Sequence, residues 1–376
     1  MSLRSIFKRP GSAVSHRQKT GWIGIDIGTG SIKFAQVQRT AGRLRLARSL
    51  IIRAEDNHPF DLQSFSNGRI GDEIRSALKL NGVFRGRETA CVVSMNHCQL
   101  RTLVIAKGSE DEQRELISLE IENVQHEPQQ PQEPQEPQEF EFWDGSPGEQ
   151  HENRGMPQVH VLSMPRTLSD AVANNLLQAK LQCQVLDAVP FAAVRASEMA
   201  PSYSTASIAD STYTILDWGY SVATLMVVHQ GQPLITRTLK HCGMQRILHG
   251  VCQQLKLSGV EAEAMLTNYG VAATVRPTGR QTELQSLITS LCGSVTRDLV
   301  EEIQETLSFI KMQFPEQVPG YVCLMGGGAA IRNMDQRLQH EIRLPVHNWT
   351  LRGSTAESVS PVLATAASLS ALAWEL

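Results

Sequence analysis

An apolar strand that ends in Asp-x-Gly and turns directly into a second strand occurs twice in this chain, at Asp26-Ile27-Gly28 and at Asp217-Trp218-Gly219. Around the first, GWIGIDIG, IKFAQVQ and RLRLARSLII alternate apolar and polar positions, with the turn residues Gly28-Thr29-Gly30 and Ala41-Gly42 between them. Around the second, TYTILDW, VATLMVVHQ and PLITRTLKH repeat the pattern, with turns at Gly219-Tyr220 and Gln230-Gly231. Period-two alternation between tight turns specifies antiparallel strands, so each half opens on a three-stranded meander. Internal duplication is the economical explanation. A glycine loop that enters a strand also demotes the dinucleotide-binding fold, whose loop must open a helix.

Size agrees with two halves. A chain of 376 residues exceeds the roughly 250–300 at which single cores stop growing, and two lobes bounding a cleft are expected. With 41% hydrophobic and 19% charged residues, disorder throughout is excluded. The balance of 35 Lys+Arg against 38 Asp+Glu provides no field for nucleic acid, and no such partner is expected. Seven cysteines without a CxxC pair fit a reducing compartment and no zinc site. No apolar run approaches the ~20 residues of a membrane span, and the start has no signal-peptide pattern, so the cytoplasm is the expected location. Residues 1–20 are basic, with Leu3, Ile6 and Phe7 as early apolar positions. They read as a flexible terminus or as a weak contact to a membrane surface or partner.

After the first meander the sequence predicts a helix from Ile70 to Leu80, strands at ETACVVSM and CQLRTLVIA, and a helix over Glu110–Val124 that buries Leu116, Leu119, Ile121 and Val124. Residues 127–139, EPQQPQEPQEPQE, cannot bury apolar surface and are expected to form a solvated loop. Strands EFEFWDG and QVHVLSM, a helix over 166–180, and a strand running into a helix at CQVLDAVPFAAVRASEMA follow. The second meander leads to helices near 243–256, 258–268 and 282–312, then strand GYVCLM, three glycines, a helix through Arg337 and a last apolar helix ending at Trp374.

Three places carry candidate chemistry. Gly28, Thr29 and Gly30, followed by Ser31, sit where glycine permits positive φ and lets backbone N–H groups approach phosphate oxygens. Asp26 ends the buried strand, placed to hold Mg²⁺ through water, and Lys33 emerges beside it. Asp217 and Gly219, with Ser221 and Thr224 on the next strand, supply an opposite jaw. Gly326, Gly327 and Gly328 lie between a strand and a helix, where a nucleoside rests against bare backbone near a helix N-terminus.

In that order the three motifs resemble those of the actin, heat-shock-chaperone and sugar-kinase superfamily: Asp26–Lys33 as first phosphate loop, Asp217–Thr224 as second, Gly326–Met334 as adenosine motif. Within it the chain is similar to the actin-like PilM family of type IV pilus assembly, related to the cell-division protein FtsA. Supporting stretches are GWIGIDIGTGSIKFAQVQ, ELISLEIENV, CQVLDAVPFAAVRA, KLSGVEAEAML and ETLSFIKMQF running into YVCLMGGGAAIRNM. The resemblance implies a duplicated, actin-like (ribonuclease H-like) two-lobed α/β ATPase fold with an inserted small α+β subdomain. Its divisions would be a basic terminus at 1–20, lobe I at 21–205 with the insertion at about 88–158, and lobe II at 206–376.

It further implies ATP with Mg²⁺, phosphates on Gly28, Thr29, Gly30, Ser31, Lys33, Gly219 and Ser221, the nucleoside on Gly326–Gly328, and the metal near Asp26 and Asp217. The implied partner is a short cytoplasmic segment of a PilN-like inner-membrane protein, which makes membrane association indirect; oligomerisation stays open. No catalytic residue is assigned. Relatives orient an attacking water with a polar residue of the first connecting segment, where this chain has Val189-Pro190. Ser221 replaces a glycine, Trp218 and Tyr220 add bulk, and Thr267 stands where relatives often have lysine. The resemblance thus implies a cytoplasmic ATP-binding scaffold of a type IV pilus or type II secretion-like assembly platform, with weak or no hydrolysis. The alternatives are a small-molecule (sugar or acid) kinase, or an FtsA-like filament that binds membrane itself.

Overall fold

The computed structural model describes residues 20–40, 43–55, 58–81, 84–124, 136–144, 158–200, 211–273, 281–351 and 359–375. The basic residues 1–19, most of the Pro/Gln/Glu repeat and the junction at 201–210 lie outside them.

In chain order the elements are β1 (Ile23–Ile27), β2 (Ser31–Thr40), β3 (Arg43–Arg53), α1 (Leu62–Ser66), α2 (Arg69–Asn81), β4 (Glu88–Val93), β5 (Gln99–Val104), α3 (Glu110–Val124), β6 (Gln138–Asp144), β7 (Gln158–Pro165), α4 (Arg166–Gln178), β8 (Gln182–Leu186) and α5 (Val189–Met199). Then come β9 (Thr212–Trp218), β10 (Ala223–His229), β11 (Gln232–Leu239), α6 (Met244–Leu255), α7 (Gly259–Asn268), α8 (Gln281–Gln313), β12 (Val322–Gly326), α9 (Met334–Ile342), β13 (Val346–Asn348) and α10 (Ala364–Ala371). Local signals set several ends: Ser258 and Glu261 form a capping box at α7, and Pro190 sits in the first turn of α5, where a missing N–H costs nothing.

Two five-stranded sheets carry the architecture, ordered β3-β2-β1-β4-β8 and β11-β10-β9-β12-β13. Each is an antiparallel meander continued by parallel strands on the far side of its first strand. The duplication read from the hairpins thus extends to whole sheets. A third sheet, β5-β7-β6, forms the inserted subdomain. One of its faces places Trp143 and Leu162 against α5, and the other is covered by α3 through Ile117 and Ile121.

That covering face corrects an expectation. Leu116 and Leu119 are 37% and 51% exposed, whereas Ile121, as expected, and Ile117 are buried and form the i, i+4 pair that meets Val159 and Val161; the side chain of Val124 lies outside the described residues. The repeat is also shorter than expected as a loop, since Gln138 and Glu139 already belong to β6, where they pair with Pro165 and Met164.

Helices α5 and α10 lie between the two large sheets, in a core of Ala35, Val37, Ala193, Ala196, Ile215, Met226 and Met325. Although α10 falls in the segment expected to build the second lobe, it packs on the first sheet. The Ser370 hydroxyl accepts from the Val37 N–H at 3.0 Å and donates to the Trp22 carbonyl. A Cβ on Gly24 would run into the Ala366 backbone, so glycine is required by this close approach. The small residues of α10, ATAASLSA, answer it from the other side.

Candidate functional site

The two Asp-x-Gly hairpins meet across the cleft. In the first, the Gly28 N–H donates to the Ser31 carbonyl at 3.0 Å and closes the turn, while the carbonyls of Thr29 and Gly30 accept from Phe60 and Ala54. No acceptor takes the N–H groups of Thr29 and Gly30 among the described residues. In the second, the carbonyls of Gly219 and Tyr220 accept from Met244 and Gln245 at the start of α6.

Positive φ is not the reason for these glycines, contrary to expectation; only Gly326 of the site glycines has it, at 83°. Crowding is the reason. A Cβ on Gly28 would lie 3.1 Å from the Ser31 carbonyl, one on Gly219 would lie 2.8 Å from the Val222 carbonyl, and one on Gly30 would enter the ring of Tyr220. Gly30 therefore admits Tyr220 of the opposite hairpin, and the two loops interlock.

The charges converge at the same place. Asp26 and Lys33 are register partners in the sheet, and the Lys33 ammonium donates to Asp26 Oδ2 at 2.7 Å. Asp217 holds the same register position in its own sheet, but its partner there is Thr224, which is buried. Burial, with the added repulsion of Asp26, pushes the Asp217 carboxyl up to about 6, and Lys33 moderates the rise. Burial pulls the Lys33 ammonium down, but Asp26 and Asp217 together outweigh it and the group is held above its ordinary value. One cation thus serves two carboxylates from two lobes.

Two hydroxyls complete the cluster. Thr29 Oγ1 and Ser221 Oγ, one on each hairpin, are buried and find no hydrogen-bond partner. An unsatisfied buried hydroxyl is costly, and its natural remedy is a ligand with acceptor oxygens. With unpaired N–H groups, Lys33 and two carboxylates, the set fits a phosphate chain with a divalent cation. Ser31, the first residue of β2, is register partner to Arg53. The Arg53 guanidinium in turn spans the lobes to Glu263 of α7 in a bidentate pair of 2.6 and 3.1 Å.

The three glycines after β12 behave differently from the expectation. A short 3-10 turn, Gly327–Ala330, separates them from α9, and two of the three are glycines for packing. A Cβ on Gly328 would enter the Trp218 indole, and one on Gly326 would meet Asp217 Oδ1 and the Trp218 carbonyl. Gly327 alone leaves its side open, with the nearest atoms 3.7 Å away. The bulk of Trp218 is thus absorbed beneath the glycine turn, where its indole N–H donates to the Cys242 carbonyl at 2.6 Å.

Asp187 belongs to no motif of the sequence. It lies in the first connecting segment, two residues before Val189, and is 1% exposed. Its carboxylate accepts from Arg195 at 2.9 Å and from the Ala188 N–H at 2.8 Å. The signal was available as an Asp and an Arg eight residues apart around a helix start, but nothing local showed that they meet.

The family model for the type IV pilus assembly protein PilM matches residues 24–352. Among solved structures, the chain is similar to a PilM-PilN type IV pilus biogenesis complex, at 19% identity and a TM-score of 0.73, covering 96% of this chain and 100% of that one. It is also similar to the ethanolamine utilization protein EutJ from Carboxydothermus hydrogenoformans, at 12% identity and a TM-score of 0.52, covering 98% and 93%. No curated protein matches the sequence. The chain belongs to the type IV pilus assembly PilM family.

Proposed function

We propose that this PilM-family chain is a nucleotide-binding scaffold of a type IV pilus assembly platform, and that it docks the cytoplasmic segment of a PilN-like inner-membrane protein. The observation that carries the nucleotide reading is the convergence of Asp26, Lys33 and Asp217 with the orphaned hydroxyls of Thr29 and Ser221 at the junction of the lobes. Lys33, the Thr29 and Gly30 amides and the two hydroxyls would hold the phosphates of ATP; Asp26 and Asp217 would hold Mg²⁺ through water. Bound Mg²⁺ supplies charge neutralisation between the phosphates and the two carboxylates, and a ligand touching both lobes stabilises their closed arrangement by linkage.

Weak or absent hydrolysis follows from the connecting segment. Val189 and Pro190 are buried in the first turn of α5 and offer no group to orient a water. The nearby carboxylate, Asp187, is committed to Arg195 and to its own backbone. The same commitment disfavours the kinase alternative, which needs a cleft carboxylate as base. Among the described residues no helix is long and apolar enough to cross a membrane, which is compatible with tethering through a partner; the PilM-PilN complex motivates the choice of that partner.

The test is calorimetric titration of the purified chain with Mg·ATP, with Asp26→Ala as control, followed by a phosphate-release assay. Binding lost in the control, without turnover, is expected. Turnover stimulated by a sugar or acid would replace the scaffold by a kinase, and no binding at all would remove the nucleotide from the account.

A further inference from the structure

The first 54 residues carry eleven Lys or Arg and a single acidic residue, Asp26, in a chain whose net charge is -3. Lys33 and Arg53 are used at the cleft. The rest are not, and the structure gathers the described ones at the opposite end of the first sheet. Arg43 faces Thr40 across the β2–β3 ladder, Arg45 faces Gln38 and Arg48 faces Gln36.

Side chains alternate along a strand, so Arg45 and Arg48, three apart, would ordinarily point to opposite faces. A bulge between Leu46 and Arg48 leaves Ala47 without a register partner and returns Arg48 to the face of Arg43 and Arg45. The row gains a neighbour from Gln36, whose side chain exchanges hydrogen bonds with the backbone of Arg85 at 2.7 and 3.0 Å.

Eight arginines of the described residues are ion-paired to a carboxylate; Arg43, Arg45, Arg48 and Arg85 are among those that are not. Protection of an exposed sheet edge by charge explains a cation or two on β3. It does not explain a bulge that brings Arg48 onto the face of Arg43 and Arg45, or Arg85 held beside Gln36 on the approach to β4. Thr20 bridges to Gln38, the partner of Arg45, so the described chain begins at this row. The segment before it, outside the described residues, carries five further Lys or Arg and no Asp or Glu.

We propose that this arginine face is a direct contact to an anionic bilayer surface, independent of the nucleotide and of the peptide partner. Charge complementarity selects the occupant. A row of unpaired guanidiniums on a sheet face suits an extended plane of lipid phosphates, to which each arginine adds attraction that salt screens. Apolar Leu3, Ile6 and Phe7 among the terminal cations match the composition of segments that lie at such an interface. The tether would then set where the chain is held, and this face how it is turned.

The test is flotation of the full-length chain, without partner or nucleotide, on vesicles of phosphatidylcholine alone and on vesicles with phosphatidylglycerol added. About tenfold more protein is expected on the anionic vesicles at low salt, falling to the neutral level at roughly 0.3 M salt. The pair Arg43→Gln and Arg45→Gln should remove most of that binding with unchanged thermal unfolding, while Lys240→Gln with Lys311→Gln, the same charge change in the second lobe, should not. If the first pair fails to fold, Arg48→Gln with Arg85→Gln takes its place. Equal binding to both vesicles, no binding, insensitivity to the arginines, or capture of a DNA duplex in place of vesicles would each overturn the proposal; none of these would touch the nucleotide reading.

Discussion

The two Asp-x-Gly hairpins occupy equivalent positions in two sheets of the same topology, yet only one has its own counter-charge. In the first, Lys33 faces Asp26 in register; in the second, Thr224 faces Asp217. A duplicated scaffold with an unduplicated cation makes the second carboxylate dependent on the first hairpin, because Lys33 is the cation that moderates the rise of Asp217 to about 6. Tyr220 reaching into the space over Gly30 expresses the same dependence sterically. The asymmetry teaches that the site is a property of the closed pair of lobes, and neither half contains it.

Removing the shared cation should break that arrangement most. Lys33→Met leaves Asp26 and Asp217 facing each other partly buried, and denaturant unfolding at pH 7 should report a loss of about 3 kcal/mol or more, the usual scale for stripping a buried pair of one partner. Next in size is a contrast of sign. Asp26→Asn should destabilise the ligand-free chain by about 1–3 kcal/mol because it deprives Lys33 of its nearest partner. Asp217→Asn should stabilise it by about 1–2 kcal/mol, since it removes a carboxyl whose ionisation folding opposes.

The pH dependence of that gain follows from the direction of the shift. A carboxyl raised from 3.8 to about 6 by folding costs stability above the folded value, and the cost disappears as pH falls through 6 towards 4. The advantage of Asp217→Asn in thermal unfolding should therefore be full at pH 7 and absent near pH 4. An advantage that persists at pH 4 would show that the carboxylate charge is not its cause.

A smaller effect tests the interlock. Gly30→Ala should cost about 1–2 kcal/mol by forcing Tyr220 aside, and most of that cost should vanish in a Tyr220→Ala background. Gly327→Ala, where the space is open, should be nearly silent. Smallest is Arg53→Ala: its pair with Glu263 is about half exposed on both sides, so at most about 1 kcal/mol is expected.

Much of the scaffold could be read from the sequence because its signals are local. Alternating runs around Asp26 and Asp217, the capping box at Ser258 and the strand before Gly326 lie within a few residues of what they specify. The order of the three motifs was legible for the same reason.

What escaped depends on pairs far apart in the chain. Gly30 with Tyr220, Gly328 with Trp218, Arg53 with Glu263 and Gly24 with Ala366 are each separated by about a hundred residues or more, and periodicity says nothing of such pairs. The glycines of the hairpins were found but attributed to positive φ, since a sequence shows a glycine without showing what crowds it. On α3, Leu116 and Leu119 competed with Ile117 for the face that Ile121 buries, and the β7 residues Val159 and Val161 decided between them. Asp187 is marked only by Arg195, which holds it from the next helix.

The most direct measurement is Mg·ATP titration calorimetry on Asp26→Ala and Asp217→Ala side by side with the unaltered chain. If the two hairpins form one site, each single change should abolish the binding that the unaltered chain shows, although the two residues lie in different sheets. Affinity unchanged in Asp217→Ala would contradict a site shared between the lobes.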